Sequence, residues 1–407
     1  MNLFLSPLNS NPVASIKIAG SKSESNRLLI LQALFGQIEI ENLSDSDDTK
    51  VLQKALVSLE KKIDVGHAGT AMRFLTAYFS IQEGSEVLLT GSERMQNRPI
   101  GILVEALRRL GADISFQKKV GFPPLLIRGK KLMRTSVKLS ANVSSQYISA
   151  LMLIAPSFPN GLELKLQNRP VSFSYIQMTK KLLKKVGISC EIIGDSIRVF
   201  PVENISKEII NVEPDWSSAS YFYSVAAMSV SAEIILPHFQ NPEISAQGDS
   251  EAAKIYEGLH VKTSISETGI FLKKIRKKRI EPLKLNLSNT PDLAQTIAVS
   301  CLGLKIPCEL TGLQTLKIKE TDRLSALKTE LEKCGAQVEI SEKSLKMLPP
   351  EILPKFVEIY TYDDHRMAMA FAPLAMKMNV QINNAEVVSK SFPGFWEEMR
   401  EIVNLKV

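Results

Sequence analysis

The chain has 407 residues, of which 44% are hydrophobic and 23% charged, and its 50 Lys and Arg against 43 Asp and Glu give a formal charge of +7. This composition is that of a globular protein and excludes a disordered or fibrous chain. Six of the positive charges lie in one run, Lys273–Arg279, so the rest of the chain nets only +1 (7 − 6). A general nucleic-acid binder should spread its charge over a surface, which argues against that class.

Membrane, secreted and zinc-binding proteins are also disfavoured. No apolar run approaches the roughly 18 residues that a membrane-spanning helix needs, and Met1–Pro7 lacks the basic start of a secretory signal. The four cysteines form no CxxC pair and have no neighbouring histidine, which is typical of reduced thiols outside a zinc site. From these features we expect a cytoplasmic protein of two or three domains that binds neither a membrane nor a metal.

Six segments share one shape, a short polar head that runs directly into a predicted helix that is apolar on nearly all sides. In chain order, these segments begin at Ser23, Gly69, Ser144, Ser217, Asp292 and Asp364. Successive starts are 46, 75, 73, 75 and 72 residues apart. Helices that are apolar all round must be enclosed by protein, so we expect six buried helices.

A second, amphipathic type of helix recurs in phase with the first. It stops, and a strand follows, at Gly111, Gly187, His260 and Gly335, which are 76, 73 and 75 residues apart. Two independent features with one period predict an α/β protein of six repeated units in two groups of three, the first unit being truncated. The alternative is an ordinary α/β enzyme with coincidental spacing, and the agreement over five units argues against it.

The polar heads have the composition of anion-binding sites, because a helix N-terminus leaves N–H groups unpaired and carries partial positive charge. The heads with cationic or paired hydroxyl side chains contain Lys22, Ser23 and Arg27, then Arg73, then Ser144, Ser145 and Gln146, and finally His365 and Arg366. Ordinary capping would explain any single head. Four together indicate a converging site for a polyanionic small molecule. A P-loop is excluded, because Ser21 and Ile16 stand where its glycines are required.

Two further segments carry carboxylates at predicted helix starts. Lys319–Arg323 contains five polar residues ahead of an apolar stripe, and Asp292 begins the fifth apolar helix. A charged cap would explain the first, and an N-cap the second. The chemical interpretation is that Asp292 and Glu320 are paired acid and base carboxylates in a site otherwise lined by cations.

These segments resemble the enolpyruvyl transferase family, and within it the branch that acts on shikimate 3-phosphate. The resemblance covers essentially the whole chain and rests on motifs in the family's order: Gly20-Ser21-Lys22-Ser23, Ala68-Gly69-Thr70-Ala71-Met72-Arg73, Arg94-Met95-Gln96-Asn97-Arg98-Pro99-Ile100, Val143-Ser144-Ser145-Gln146, Pro291-Asp292, Lys319-Glu320-Thr321-Asp322-Arg323 and Asp364-His365-Arg366-Met367-Ala368-Met369. It implies an α/β fold of two domains with three repeated units each. One domain would be 20–213, the other 1–19 plus 214–407, with the active site in the cleft between them.

The reaction that the resemblance implies joins phosphoenolpyruvate to the 5-hydroxyl of shikimate 3-phosphate and releases phosphate, through a tetrahedral intermediate. The residues implied for shikimate 3-phosphate are Lys22, Ser23, Arg27, Ser144, Ser145, Gln146, Ser172, Tyr175, Asp292 and Lys319. Those implied for phosphoenolpyruvate are Lys22, Gly69, Arg98, Gln146, Arg323, Arg366 and Lys390. Asp292 would be the base and Glu320 the proton donor, helped by Lys22 or Lys390. The family also implies no metal, no organic cofactor and a monomer.

Three positions depart from the family pattern. His67 and Thr315 stand where the family usually has Asn, and Phe74 stands where Pro is common. The departures at His67 and Thr315 change the first contact of that loop and one polar contact with the substrate. None of the three departures removes an acid or base candidate, and the short stretch from Lys22 to His67 agrees with a truncated first unit.

Two rival functions can be weighed on the sequence. A sister enzyme that acts on UDP-N-acetylglucosamine commonly carries a reactive Cys in the loop equivalent to 94–99, where this chain has Met95-Gln96-Asn97. A nucleic-acid-binding role would use the run Lys273–Arg279. The alternative for that run is a solvated hairpin connection between strand-like stretches at 269–272 and 283–287.

Overall fold

The structure is a computed structural model that describes residues 1–8, 11–141, 144–168, 170–275 and 281–407. The chain divides into two compact units. One consists of Met1–Ala19 together with Glu213–Val407, and the other is Gly20–Val212.

The described residues form short strands and mostly short helices, which are interspersed along the chain. The strands are β1 (Leu3–Pro7), β2 (Val13–Ser15), β3 (Ile38–Glu41), β4 (Lys62–Asp64), β5 (Glu86–Thr90), β6 (Asp113–Phe116), β7 (Leu125–Arg128), β8 (Ser136–Ser140), β9 (Leu162–Gln167), β10 (Cys190–Ile193), β11 (Ser196–Val199), β12 (Glu208–Asn211), β13 (Glu233–Pro237), β14 (Val261–Ser266), β15 (Gly269–Lys274), β16 (Leu283–Asn286), β17 (Cys308–Thr311), β18 (Gln337–Ile340), β19 (Ser344–Leu348), β20 (Phe356–Ile359), β21 (Asn379–Ile382) and β22 (Val403–Lys406). The helices are α1 (Lys22–Phe35), α2 (Asp47–Val57), α3 (Gly69–Ser80), α4 (Glu93–Gln96), α5 (Gly101–Leu110), α6 (Ser145–Ile154), α7 (Phe173–Lys185), α8 (Trp216–Met228), α9 (Ala252–Gly258), α10 (Ala294–Leu304), α11 (Arg323–Lys333), α12 (His365–Phe371) and α13 (Phe395–Arg400).

The described strands form six small sheets, three in each unit. Five sheets have four strands in one order, β4-β5-β7-β6, β8-β9-β11-β10, β2-β13-β15-β14, β16-β17-β19-β18 and β20-β21-β1-β22. In each of these the first two strands are parallel and the remaining neighbours antiparallel. The sixth sheet, β12-β3, keeps only the parallel pair. The six repeated units and the truncated first one are thereby confirmed.

The six predicted buried helices are α1, α3, α6, α8, α10 and α12. Every residue of α3 except Thr70 is buried, and every residue of α8 except Ser217. Each of these helices leads into one strand of a parallel pair, and α3, for example, is the crossover that connects β4 with β5. These helices form the core of each unit and present their N-terminal heads at one end of it.

The amphipathic helices stop where the sequence predicts. Gly111 follows α5 with a φ of 114°, a left-handed conformation that glycine adopts without steric cost. His260 stands at the equivalent place after α9 and takes a φ of 66° although it has a side chain. The stop therefore depends on the backbone conformation more than on the presence of glycine.

The hairpin interpretation of the basic run is wrong. The strands on its two sides are confirmed, but β15 pairs with β13 and β14, whereas β16 pairs with β17 in a different sheet. Lys273 bonds Glu233 at 2.6 Å, and Lys274 donates to the carbonyl oxygen of Ala227 at 2.5 Å. Burial lowers the pKa of Lys274 to about 8, with a smaller effect from Lys377. The rest of the run, residues 276–279, lies outside the described residues.

Across the described ranges, no helix combines the length and the apolar character that crossing a membrane requires.

Candidate active site

The centre of one residue cluster is Arg323, the first residue of α11. Its guanidinium is 2% exposed and bonds three carboxylates: Nε to Asp364 at 2.7 Å, Nη1 to Asp292 at 2.9 Å and Nη2 to Glu320 at 2.7 Å. Burial lowers the pKa of Arg323, but the three carboxylates raise it by more, so that its net shift is upward. One permanent cation therefore holds Asp292 and Glu320 side by side.

Three more cations complete this cluster. Arg366 Nη2 lies 3.2 Å from Asp292 Oδ2, and Lys319 Nζ lies 3.5 Å from Asp292 Oδ1. Lys390 Nζ lies 3.4 Å from Glu320 Oε1. Burial lowers the pKa of Lys319, and Asp292 partly offsets that effect. The unit that contains 213–407 thus brings together six predicted site residues, which we name the carboxylate–cation cluster: Asp292, Lys319, Glu320, Arg323, Arg366 and Lys390.

This geometry shows which of the two carboxylate segments contains a helix cap. Asp322, the N-cap residue of α11, accepts a hydrogen bond from Ser325 N at 3.1 Å, so a cap is present in that segment. Asp292 lies in a 3-10 turn, Pro291–Leu293, that has no side-chain cap, and its carboxylate faces cations instead. The N-cap explanation of Asp292 is therefore wrong.

Two acidic residues next to this cluster are not among the site residues predicted from the sequence. Asp364 caps α12 by accepting from Arg366 N at 2.9 Å and also bonds Arg323. Asp249 is buried and accepts a hydrogen bond from the Ser217 hydroxyl, which lies 3.5 Å from Arg366 Nη2. Asp364 begins the sixth polar head, a signal that could have identified it, whereas no local motif marks Asp249.

Burial raises the pKa of Asp249 to about 7, and the negative charge of Asp292 adds to that effect, while Arg366 and Ser217 oppose it. Asp249 is therefore a buried carboxyl group that holds its proton more tightly than an exposed aspartate does.

In the unit 20–212, Arg27 organises a second group of predicted residues. Its Nη1 donates to Ser23 O at 2.7 Å, its Nη2 to Tyr175 O at 3.5 Å, and its Nε to Thr179 Oγ1 at 2.8 Å. The guanidinium lies over the rings of Phe74 and Tyr175, with centroids 5.4 and 5.8 Å away. Burial lowers the pKa of Arg27 to about 10, so it is still a cation at neutral pH. This buried charge therefore lies against the first turn of α1, where it bonds the Ser23 carbonyl oxygen.

The other heads of this unit carry polar side chains at helix starts. Lys22, the first residue of α1, lies 3.3 Å from Asp48 Oδ2. Ser144 caps α6 by accepting from Gln146 N at 3.2 Å. Gln146 Nε2 in turn donates to Thr70 Oγ1 at 3.0 Å, which joins the heads of α6 and α3.

Three more predicted site residues lie at the starts of α6 and α7. Ser145 is the first residue of α6 and is buried. Ser172 precedes α7 in a left-handed conformation with a φ of 53°, without a side-chain cap. Tyr175 lies in the first turn of α7 and meets Arg27 as described above.

The head of α3 is held by two arginines with different roles. Arg73 donates to the carbonyl oxygens of Gly69 at 3.0 Å and Pro99 at 3.2 Å, so it fixes the backbone of the head. A Cβ atom on Gly69 would lie 2.6 Å from Arg98 Nη1, so only glycine lets Arg98 approach this closely. The departure at His67 puts a ring nitrogen 3.0 Å from Ser92 Oγ.

The predicted site residues therefore fall into two groups, one in each unit. Among the residues that the structure describes, no three His, Cys, Asp or Glu side chains form a group suited to a metal ion.

Comparison with known proteins agrees with this chemistry. A family model for EPSP synthase (3-phosphoshikimate 1-carboxyvinyltransferase) matches residues 52–399. A 3-phosphoshikimate 1-carboxyvinyltransferase of Bacteroides fragilis is 47% identical over 392 residues, 95% of either chain. One of Shewanella amazonensis is 34% identical over 419 residues, 95% of this chain and 96% of the relative.

Solved structures show the same fold. EPSP synthase of Acinetobacter baumannii matches with a TM-score of 0.77 at 19% identity, and all of both chains is covered. The enolpyruvyl transferase NikO of Streptomyces tendae matches with a TM-score of 0.74 at 12% identity, over 100% and 98% of the two chains. The predicted α/β fold of repeated units is confirmed by both. The chain belongs to the EPSP synthase (3-phosphoshikimate 1-carboxyvinyltransferase) family, whose members are transferases that move an enolpyruvyl group in the shikimate pathway of aromatic amino acid biosynthesis.

Proposed function

We propose that this chain transfers the enolpyruvyl group of phosphoenolpyruvate to the 5-hydroxyl of shikimate 3-phosphate and releases phosphate. The observation that carries the proposal is the pair Asp292 and Glu320, held by one buried guanidinium at 2.9 and 2.7 Å. Two carboxylates at a fixed separation suit a reaction in which one proton is removed and another is delivered.

Both substrates are anions, and this accounts for the cations around the carboxylates. In our proposal, phosphoenolpyruvate is bound by Lys22, Gly69, Arg98, Gln146, Arg323, Arg366 and Lys390. Shikimate 3-phosphate is bound by Lys22, Ser23, Arg27, Ser144, Ser145, Gln146, Ser172, Tyr175, Asp292 and Lys319. Cations and helix N-termini would offset the repulsion between two anionic substrates, and arginine suits bidentate contacts with carboxylate and phosphate. We propose that the predicted domains, 20–213 and 1–19 with 214–407, both serve this single reaction, in a cleft between them.

In the first step, Asp292 accepts the proton of the 5-hydroxyl while that oxygen bonds to the central carbon of phosphoenolpyruvate. The double bond breaks, and its methylene carbon takes a proton from Glu320 to become a methyl group. Asp292 touches three cations and Glu320 two, so the cluster can tolerate the charge that moves during the step.

In the second step, phosphate leaves the tetrahedral intermediate, a proton leaves the methyl group and the double bond forms again. Glu320 is placed to take that proton back. Lys390, at 3.4 Å from Glu320, can resupply or accept a proton, and Lys22 is the second candidate for that task.

The test is release of inorganic phosphate by the purified chain, expected only when shikimate 3-phosphate and phosphoenolpyruvate are both present. Asp292→Asn and Glu320→Gln should each lower kcat by about 10²–10⁴-fold, the usual contribution of a general acid or base. Glu332→Gln, on the exposed side of α11, is the matched control and should retain the wild-type rate.

Folded protein that is silent with both substrates but turns over UDP-N-acetylglucosamine would contradict the proposal. Near-normal turnover in either of the two carboxylate variants would remove that residue from its role.

We further propose a cytoplasmic monomer that acts on small molecules, without nucleic acid, metal or organic cofactor. The four cysteines are free thiols, and three of them are buried, which suits a reducing compartment. Light scattering should give a mass near 45.2 kDa, and twice that value would contradict the monomer.

A further inference from the structure

Glu330 is a fully buried carboxylate that takes no part in the chemistry above. It lies on α11, two turns after Arg323, and is 0% exposed. Its Oε1 accepts from Tyr362 Oη at 2.6 Å, and its Oε2 accepts from Tyr360 N at 3.2 Å. Lys333 Nζ bonds both oxygens, at 2.9 and 2.8 Å. A charge buried this deeply needs such partners, and two of the three come from one segment outside the helix.

That segment has an unusual backbone. Tyr362 and Asp363 are consecutive residues in the left-handed region, each with a φ of 54°. Residues with a Cβ rarely adopt this conformation, and two in succession are held only where surrounding contacts enforce them. The hydrogen bond from the Tyr362 hydroxyl to Glu330 anchors this turn to α11.

The turn leads directly into the carboxylate–cation cluster, since the next residue is Asp364. Asp364 accepts from Arg323 Nε at 2.7 Å and from the backbone N of Arg366 at 2.9 Å, so it fixes the Arg323 side chain and the backbone from which the Arg366 side chain extends. The segment 358–364 is therefore held to α11 at two places: by Arg323 at the start of the helix, and about 10 Å further along its axis by Glu330 and by Lys333, which donates to Glu358 O at 3.3 Å. Contacts at two places fix the orientation of the segment relative to α11, whereas a contact at one place would let the segment rotate.

We infer that Glu330 and Tyr362 are positioning residues: their hydrogen bond holds the left-handed turn so that Asp364 presents Arg323 and Arg366 to an anionic ligand. Neither residue touches the reacting atoms. The inference rests on the proposed function only for the identity of that ligand, phosphoenolpyruvate.

The test compares steady-state constants for the two substrates. Tyr362→Phe removes the hydroxyl and keeps the ring, and it should raise KM for phosphoenolpyruvate about tenfold, as expected for loss of a hydrogen bond to a buried charge. KM for shikimate 3-phosphate should stay within about twofold. Glu330→Gln keeps an acceptor oxygen for Tyr362 and should lie between wild type and Tyr362→Phe.

Lys333→Met is the matched control, because Lys333 bonds the same carboxylate and the Glu358 carbonyl oxygen but neither Tyr362 nor Asp363. It should lower the melting temperature without moving either KM. The inference is overturned if Tyr362→Phe leaves KM for phosphoenolpyruvate within about twofold, or if Lys333→Met raises it equally. The second result would mean that Glu330 supports only the packing of α11.

Failure of the proposed function would be recognised separately, as absence of turnover by the wild-type protein. Binding of inorganic phosphate, measured by calorimetry, then replaces KM: Tyr362→Phe should weaken it about tenfold, and Lys333→Met should not. Wild-type protein that binds no phosphate, or equal affinity in all three proteins, would overturn the inference as well.

Discussion

Asp249→Asn should make the stability of this protein less dependent on pH. The Asp249 side chain is 5% exposed and is bonded by the Ser217 hydroxyl. Burial, followed by the charge of Asp292, raises its pKa from the ordinary 3.8 to about 7. Asparagine has nearly the same shape and can still accept a hydrogen bond from Ser217, but it does not titrate.

Whether stability rises or falls with pH depends on which state, folded or unfolded, holds the proton on Asp249. Between pH 3.8 and about 7 the folded chain keeps a proton on Asp249 that the unfolded chain has lost. The stability linked to that proton is therefore fully present below pH 3.8 and is lost as the pH rises to about 7. At about 1.4 kcal/mol for each pH unit, the loss between pH 5 and pH 8 is about 3 kcal/mol.

The assay is urea unfolding without substrates at several values from pH 5 to pH 8. The free energy of unfolding should fall by about 3 kcal/mol more in the wild type than in Asp249→Asn over this range. Glu257→Gln, which alters an exposed carboxylate of the same unit, should follow the wild type. Parallel curves for the wild type and Asp249→Asn would refute the reasoning, because they would mean that folding does not shift the titration of Asp249.

Two further substitutions test the energy of a buried ion-pair cluster and of a helix end. Arg323→Met should destabilise the fold by about 3–5 kcal/mol in urea at pH 7, since three carboxylates lose their shared buried cation. Lys328→Met, which breaks an exposed pair on the same helix, should cost only about 0.5 kcal/mol, and equal losses would contradict this prediction. Lys305→Gly should raise the stability by about 1 kcal/mol, because Lys305 ends α10 in a left-handed conformation with a φ of 57°. A melting temperature no higher than that of Lys305→Ala would contradict it.

The repeated units could be predicted from the sequence because each depends on a local pattern. An apolar helix such as α3 reveals itself within about a dozen residues, and its polar head marks where it begins. The period of the starts and stops then predicts the number of units, which the six sheets confirm. No local pattern predicts that β3 pairs with β12, about 170 residues later, or that β1 joins the sheet of β21 and β22.

The candidate site shows the same difference between features set by local sequence and features set by tertiary packing. The sequence by itself determined which side chains are available at the helix heads, among them Asp292, Arg323 and Arg366, because those heads are continuous in the chain. Only the tertiary structure decided that Asp292 faces three cations instead of capping its helix, and that Asp249 is buried within reach of its charge. The physical reason is the distance along the chain over which each kind of interaction acts. Helical period and capping act over a few residues, whereas ion pairing and burial of charge depend on which distant elements pack together.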